Sequence, residues 1–413
     1  MDNVFDALQA RGFVQQVTHP DVLRQRLGSE RLTFYIGFDP TARSFHVGNL
    51  LPIMAMVHMQ RAGQRPIAIL GGGTAMVGDP SGKTEMRQML SREAIDQNAQ
   101  ALRRQLERYL DFSGDQGALL LNNADWLAPL NYIDFLRDIG RHFSVNRMLT
   151  FETYKQRLES TGLSFLEFNY QLLQAYDFLV LYQRYGCVLQ MGGDDQWGNM
   201  VAGADLIRRV AQGEAFAMTF PLITTSSGQK MGKSVAGAIW LDAEQTSPYE
   251  FYQSWINVDD RDVGRFLHYY TLLPLDEIAR LSALQGADMR HAKEMLAFEV
   301  TALTHGRDAA QEAQETSQAL FGTGGDTEGI PETSIAQERL EAGILALDLL
   351  VDTGLATSKS AARRLIQQGG ASLNNTRLTS AEAVVTSANL QDGTLLLRAG
   401  KKRYHRVTVQ TVG

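Results

Sequence analysis

Apolar positions along the chain follow two periods. Short runs dense in β-branched and aromatic residues, TFYIGF (33–38), PIAIL (66–70), CVLQM (187–191) and FPLIT (220–224), alternate with longer stretches whose apolar residues recur every three or four positions. The short runs read as strands and the longer stretches as helices, and their alternation predicts an α/β fold with a largely parallel sheet wrapped by helices. Three of the runs pass straight into loops at 37–49, 71–79 and 192–199. In open α/β sheets ligands gather beyond the carboxyl ends of the strands, so these loops are expected to meet in one crevice.

Helix signals extend the layout. Ser91 precedes a stripe of Ile95, Ala99, Leu102, Leu106 and Tyr109, and SPYE (247–250) reads as a capping box with proline at the first helical position. The helical pattern then continues to about Gly306 and predicts a second, all-helical domain. FGTGGDTEGIPETSIAQ (321–337) is rich in Gly, Thr and acidic residues and reads as a linker. Beyond it, TSKSAARRLIQQGG (357–370) predicts a short helix capped by Ser358 and stopped by Gly369, with Lys359 and Arg363 one turn apart and Arg364 beside them. Two short β-runs about Asn374-Asn375 and a last β-rich stretch containing KKRYHR (401–406) complete a small α+β domain. The domains are therefore expected at 1–224, 225–320 and 341–413, with a linker at 321–340. There is no internal repeat.

Charge sharpens this division. The 413 residues carry a formal net charge of -7, with 44% hydrophobic and 21% charged residues, ordinary for a globular chain. From Glu341 onward nine Lys/Arg face five Asp/Glu, or +4, which leaves -11 for the rest. A basic tail domain on an acidic body suits local contact with a polyanion such as RNA, through backbone contacts and with or without stacking; a solvated charged face accounts for the same numbers equally well. Cys187 is the only cysteine, which excludes an intrachain disulfide, a Cys-rich zinc site and an iron–sulfur cluster, and a reducing compartment follows most simply. The N-terminus carries Asp2 and Asp6 and lacks both a long apolar run and an Arg/Ser bias, and no stretch reaches the roughly 18 apolar residues of a membrane span, so a cytoplasmic, non-membrane protein is expected.

Three constellations carry candidate chemistry. After GLSF, where Ser164 and Glu167 form another capping box, FNYQLLQAYDFLVLYQRYG is apolar around most of its circumference, which predicts a buried helix. Tyr170, Gln174 and Asp177 nevertheless recur at i, i+4 and i+7 as one polar stripe. Buried polar groups need partners, and either a ligand bearing an ammonium and a hydroxyl or another protein segment would supply them. In HVGN (46–49), His46 and Asn49 stand at the start of an apolar helix ended by Gly63, where free N–H groups favour an anion, and Gly48 permits close approach of a purine or phosphate. KMGKS (230–234) sets Lys230 and Lys233 three residues apart, a spacing that suits a clamp on a leaving pyrophosphate as well as it suits a solvated loop. GDPSGKT (78–84) is not a Walker loop, because Val77 stands where its first glycine belongs, and Met76 likewise spoils a dinucleotide fingerprint in GGGTAMVG. Lys83 and Arg87 remain able to reach phosphates as point charges.

Taken together, these stretches resemble the bacterial-type tyrosyl-tRNA synthetases, class I aminoacyl-tRNA synthetases, over essentially the whole chain. HVGN resembles the family's HIGH motif and KMGKS its KMSKS motif, while GFDPTA, GGDDQWGN and YQLLQAYDF are more specific to the tyrosyl enzymes. The resemblance implies a Rossmann-like catalytic domain, a helical domain and a C-terminal RNA-binding domain. It implies that Tyr35 and Asp177 hold the substrate phenol, that Asp79, Tyr170 and Gln174 take its ammonium, and that Gln196 lies near its carboxylate. Gly37, Asp39, His46, Gly48, Asn49, Gly193 and Asp195 would hold ATP, with Thr41, Lys83, Arg87, Lys230, Lys233 and Ser234 on its phosphates. Lys359, Arg363, Arg364, Lys401, Lys402 and Arg403 would meet RNA. Magnesium would come with ATP through its phosphates rather than in a protein cage, no cofactor would be held permanently, and the partners would be L-tyrosine, ATP, tRNA(Tyr) and a second copy of the chain. Two departures stand out: Asn49 replaces the second histidine of HIGH and Gly232 the first serine of KMSKS. A tryptophanyl enzyme is the nearest rival, disfavoured by Asp177, Tyr35 and the basic C-terminal domain. An RNA-binding protein that has lost catalysis is the rival of another class, disfavoured by His46, Lys230 and Lys233.

Overall fold

The computed structural model describes residues 3–80, 91–159, 162–226, 228, 233, 234, 237–321, 331–374, 376–391, 393–400 and 403–410. They form two compact units. The first takes the described residues of 1–232 with 240–242 and 259–284; the second takes those of 233–239, 243–258 and 285 onward.

Five strands make the sheet of the first unit: β1 (Thr33–Phe38), β2 (Arg65–Leu70), β3 (Leu119–Asn122), β4 (Cys187–Gly193) and β5 (Phe216–Phe220). All pairings are parallel, in the order β3-β2-β1-β4-β5. Parallel strands covered on both faces read as continuous apolar runs, and every residue of FAMTF in β5 is buried. The order reverses between β1 and β4, so the crevice of this Rossmann-like sheet opens at their carboxyl ends.

Two strand expectations need correction. The fourth run, 220–224, shares only Phe220 with β5, because Pro221 has no N–H to donate and the ladder stops before it. β3 was not foreseen; its four residues LLLN are too short a run to stand out.

The expected all-helical domain also divides. Helices Asp260–Tyr270 and Leu275–Ser282 belong to the first unit. The buried Arg11 explains part of this: its guanidinium donates to the carbonyls of His268, Thr271 and Leu273 at 3.3, 3.0 and 2.6 Å. Those oxygens belong to the end of the first of these helices and the turn after it, where carbonyls lack helical partners.

The helix Phe165–Tyr185 forms where its capping box places it, with both reciprocal bonds between Ser164 and Glu167 made, and it ends at Gly186 in the left-handed region, φ 61°. It lies close against the helix Trp197–Val210, since a Cβ on Gly203 would stand 2.9 Å from the Phe178 ring.

In the second unit, Pro248–Ile256, Met289–His305 and Arg307–Phe321 are helical, and Gln253 Nε2 donates to Ser317 Oγ at 2.8 Å. A further sheet orders Thr376–Arg377, Ala371–Leu373, Thr394–Ala399, Arg403–Gln410 and Glu332–Ala336. The last strand corrects the linker expected at 321–340: Glu332–Ala336 pairs in parallel with Arg406 to Gln410, and Gln337–Glu341 is helical. Its single inward apolar residue, Ile335, gave no alternation to read in sequence. The helix Lys359–Gln367 is capped by Ser358 and followed by Gly369 at φ 69°. No described helix is long and apolar enough to cross a membrane.

Candidate active site

A cavity of about 520 Å³ opens at the carboxyl ends of β1 and β4. All six residues expected around an amino acid line it: Tyr35, Asp79, Tyr170, Gln174, Asp177 and Gln196. From the nucleotide set, Gly37, Asp39, Thr41, His46, Asn49, Gly193 and Asp195 line the same cavity. Gly48 does not; its N–H donates to His46 Nδ1 at 2.9 Å. Lys83, Arg87 and Lys230 lie outside the described residues. Lys233–Ser234 is a two-residue strand of the second unit, paired with Gly237–Ala238.

The polar stripe of the Phe165–Tyr185 helix pairs with other protein segments, one of the two accounts offered for it. Asp177 is 4% exposed, and its two oxygens already accept from the protein: Oδ1 from Trp126 Nε1 at 2.7 Å and Oδ2 from Asn123 Nδ2 at 2.9 Å. Each carboxylate oxygen can accept a second bond, so the group remains able to receive a ligand donor. Asn123 is locked in turn, accepting from Gly73 N–H at 2.7 Å and donating to Thr74 Oγ1 at 3.0 Å. Burial pushes the Asp177 carboxyl up to about 7, while the two donors pull it down. Beside it the Tyr35 hydroxyl is buried and makes no hydrogen bond, and burial, then the Asp177 charge, raise its phenol well above the usual range.

A second cluster joins three elements. Gln196 Nε2 donates to Asp79 Oδ2 at 2.7 Å, and Asn199 Nδ2 donates to Gln174 Oε1 at 3.0 Å and to Gln196 Oε1 at 3.3 Å. Together they hold a carboxylate and amide oxygens in fixed directions, an arrangement that suits a compact cation such as an ammonium.

His46 caps the short helical turn Val47–Asn49: its Nδ1 accepts from Gly48 while Asn49 Oδ1 accepts from the His46 N–H at 3.1 Å. With Nδ1 accepting, the ring proton sits on Nε2. With its oxygen turned to the backbone, Asn49 offers amide N–H groups as donors, the same polarity a neutral histidine would supply.

Sequence reasoning missed four contributors. Asn123 and Trp126 follow β3, which was itself unrecognised, and Asn199 sits inside a motif read only for its other residues. Gln190 left a signal: it is the polar residue in an apolar strand, it pairs in register with Tyr35, and its Oε1 is buried with no hydrogen-bond partner. Among the described residues no group of three or more His, Cys, Asp or Glu is placed to hold a metal ion.

Of the cations expected to meet RNA, Lys401 and Lys402 lie outside the described residues. Lys359, Arg363, Arg364 and Arg403 are exposed in the second unit, and Lys359 Nζ lies 2.8 Å from Asp348.

Comparisons with known proteins cover both units. A family model of class I tRNA synthetases (W and Y) matches residues 28–322, and a model of the tyrosine–tRNA ligase SYY-like C-terminal domain matches 325–407. The tyrosine–tRNA ligase of Clostridium tetani is 55% identical over 409 residues, 99% of this chain and 100% of that protein. That of Clostridium botulinum strain Alaska E43 is 55% identical over 410 residues, with the same coverage. Among solved structures, a C-terminally truncated mitochondrial tyrosyl-tRNA synthetase of Aspergillus nidulans superposes with a TM-score of 0.70 at 30% identity, covering 78% of this chain and 95% of that one. Near-complete coverage by relatives above half identity, with the tyrosyl-type C-terminal domain present, places the chain in the tyrosyl-tRNA synthetase family of class I aminoacyl-tRNA synthetases.

Proposed function

We propose that the chain activates L-tyrosine with ATP and then passes the tyrosyl group to the 3′ end of tRNA(Tyr). The observation that carries the assignment of residues is the buried, unpaired Tyr35 hydroxyl beside the Asp177 carboxylate, in the wall of a cavity that also holds His46 and Asn49. A phenol entering there donates to Asp177 and bonds with Tyr35, while Asp79, Tyr170 and Gln174 receive the ammonium and Gln196 faces the carboxylate. ATP lies against Gly37, Asp39, His46, Asn49, Gly193 and Asp195, with Thr41 toward its phosphates and magnesium on the phosphates themselves; Lys83, Arg87, Lys230, Lys233 and Ser234 are proposed as phosphate contacts on the family motifs alone.

The carboxylate oxygen of tyrosine bonds to the α-phosphorus as the bond to the pyrophosphate oxygen breaks. The terminal ribose hydroxyl of the tRNA then attacks the tyrosyl carbonyl and AMP leaves. No side chain acts as nucleophile; the protein contributes orientation and donors to the phosphate charge. Tyrosine-dependent ATP–pyrophosphate exchange tests this reading. Exchange is expected with tyrosine, and exchange driven by tryptophan, or RNA binding with no exchange, would replace it.

The Asp177 carboxyl sets a pH dependence. It is neutral below about 7 and ionised above, and the ionised form is the stronger acceptor for a phenol O–H. The KM for tyrosine is therefore expected to rise as pH falls through this value, with a pH profile at saturating ATP as the check. The same raised value means that this group's contribution to stability is full below its ordinary 3.8 and is lost as pH rises through about 7, the unliganded site being strained when charged.

The active form is a homodimer. Tyr132, Ile133, Leu136, Val145, Leu158, Phe165 and Leu166 are large apolar residues left exposed within one stretch of the first unit, Phe165 at 70% and Ile133 at 67%. So much apolar surface in one segment suits a partner face. Phe165→Asp is expected to weaken self-association by about 100-fold or more, read by analytical ultracentrifugation, as loss of a central aromatic anchor does. A variant that stays dimeric at the same concentrations removes this face from the interface. The buried free Cys187 fits a reducing, cytoplasmic setting.

A further inference from the structure

The helix Arg92–Leu106 carries two amides, Asn98 and Gln105, on its buried side, seven residues apart and so on one face. Polar groups on such a face need partners, and both find them in the backbone of the loop that leaves β1. Asn98 Nδ2 donates to the Pro40 carbonyl at 2.9 Å. Gln105 holds three consecutive residues: its Oε1 accepts from the Phe45 N–H at 3.1 Å and, at 3.2 Å, shares the Ser44 hydroxyl proton with the Phe45 carbonyl 2.7 Å from that hydroxyl, and its Nε2 donates to the Arg43 carbonyl at 3.4 Å. The next residue is His46.

Residues 240–242 hold the same loop from another side. Leu241 N–H donates to the Phe45 carbonyl at 2.8 Å and Asp242 N–H to Ser44 Oγ at 3.2 Å. Trp240 bridges to His46 in antiparallel fashion, the two rings 6.2 Å apart between centroids. This segment follows KMGKS in sequence by only a few residues. Ser44 and Gln105 are 4% and 7% exposed, so water does not replace these bonds.

We propose that Gln105 is a positioning residue for adenylate formation: its amide fixes the 43–45 backbone, and thereby the His46 ring, and through Ser44 it anchors the 240–242 segment against that ring. Gln105 does not line the cavity and touches no reactant. The proposal rests on the ATP site proposed above. Its effect is therefore on the orientation of the triphosphate, not on the tyrosine pocket, which is built from other elements.

The test uses the full-length chain. Gln105→Met keeps the volume and removes all three bonds; kcat for tyrosine-dependent exchange is expected to fall about 10- to 100-fold, as a displacement near 1 Å does. Tyrosine affinity by equilibrium dialysis stays within about 2-fold and the number of tyrosine sites per chain stays at the wild-type value, which a loss of folded protein would lower. Gln105→Glu keeps the acceptor and lacks the donor, and recovers part of the rate. Ser44→Ala provides a second route should Gln105→Met not fold, and the double variant loses no more than the larger single loss, as members of one network do. A wild-type kcat in either single variant, or equal losses in kcat and tyrosine affinity, overturns the proposal. A wild-type chain without tyrosine-dependent exchange would instead sink the functional reading beneath it.

Discussion

Asp177→Ala is expected to lower kcat/KM for tyrosine in ATP–pyrophosphate exchange by about 10³-fold, while ATP binding is unchanged. A hydrogen bond to an ionised acceptor contributes about 1.5–3 kcal/mol, and here the acceptor is held rigid by Trp126 and Asn123. Alanine removes that bond and leaves both donors facing a hole, so the phenol loses its end stop. A substrate displaced along its axis loses about a further 10- to 100-fold through misaligned attack on phosphorus. Asp177→Asn offers no rescue, since its amide nitrogen would face one of two donors that cannot turn: Asn123 is fixed by Gly73 and Thr74, and the indole has only its N–H. The proposed nucleotide contacts come from other loops, which is why ATP binding is expected to survive. An exchange rate within about 3-fold of wild type in either variant would remove Asp177 from the phenol site.

Ending the chain after Phe321 is expected to leave exchange within about 3-fold and to lower tRNA charging by about 100-fold or more at physiological salt. Every residue lining the cavity belongs to the first unit, whereas the exposed Arg363, Arg364 and Arg403 lie beyond the cut. Phosphate contacts of this kind add affinity without touching the activation step, and each one lost flattens the dependence of binding on salt. The cut belongs before 331, because Glu332–Ala336 is a strand of the C-terminal sheet and a break at 341, where the sequence places the start of that domain, would strip the edge from it. Charging by the shortened chain at the full rate, with an unchanged salt slope, would show that the C-terminal domain does not hold the tRNA.

Much of the site was legible because its signals are local. Capping boxes at Ser164 and Ser247 depend on residues three apart, and both formed. The stripe Tyr170, Gln174 and Asp177 needs only the helical period to share a face, and the loops after β1 and β4 needed only strand order to meet. The strand at FPLIT failed on a local signal that was underweighted, the proline at its second position.

The sequence by itself determined the α/β class, the buried helix with its polar stripe, and a small basic domain at the end, since each follows from periodicity, capping and charge within a few residues. Only the tertiary structure decided what the stripe pairs with, where Asp177 meets Asn123 and Trp126 from 54 and 51 residues away. It alone brought Arg11 to carbonyls about 260 residues on and Gln105 to the backbone beside His46. The physical reason is that a hydrogen bond is chosen by distance in space, and a side-chain amide or guanidinium looks the same in sequence whether it meets water or a buried carbonyl.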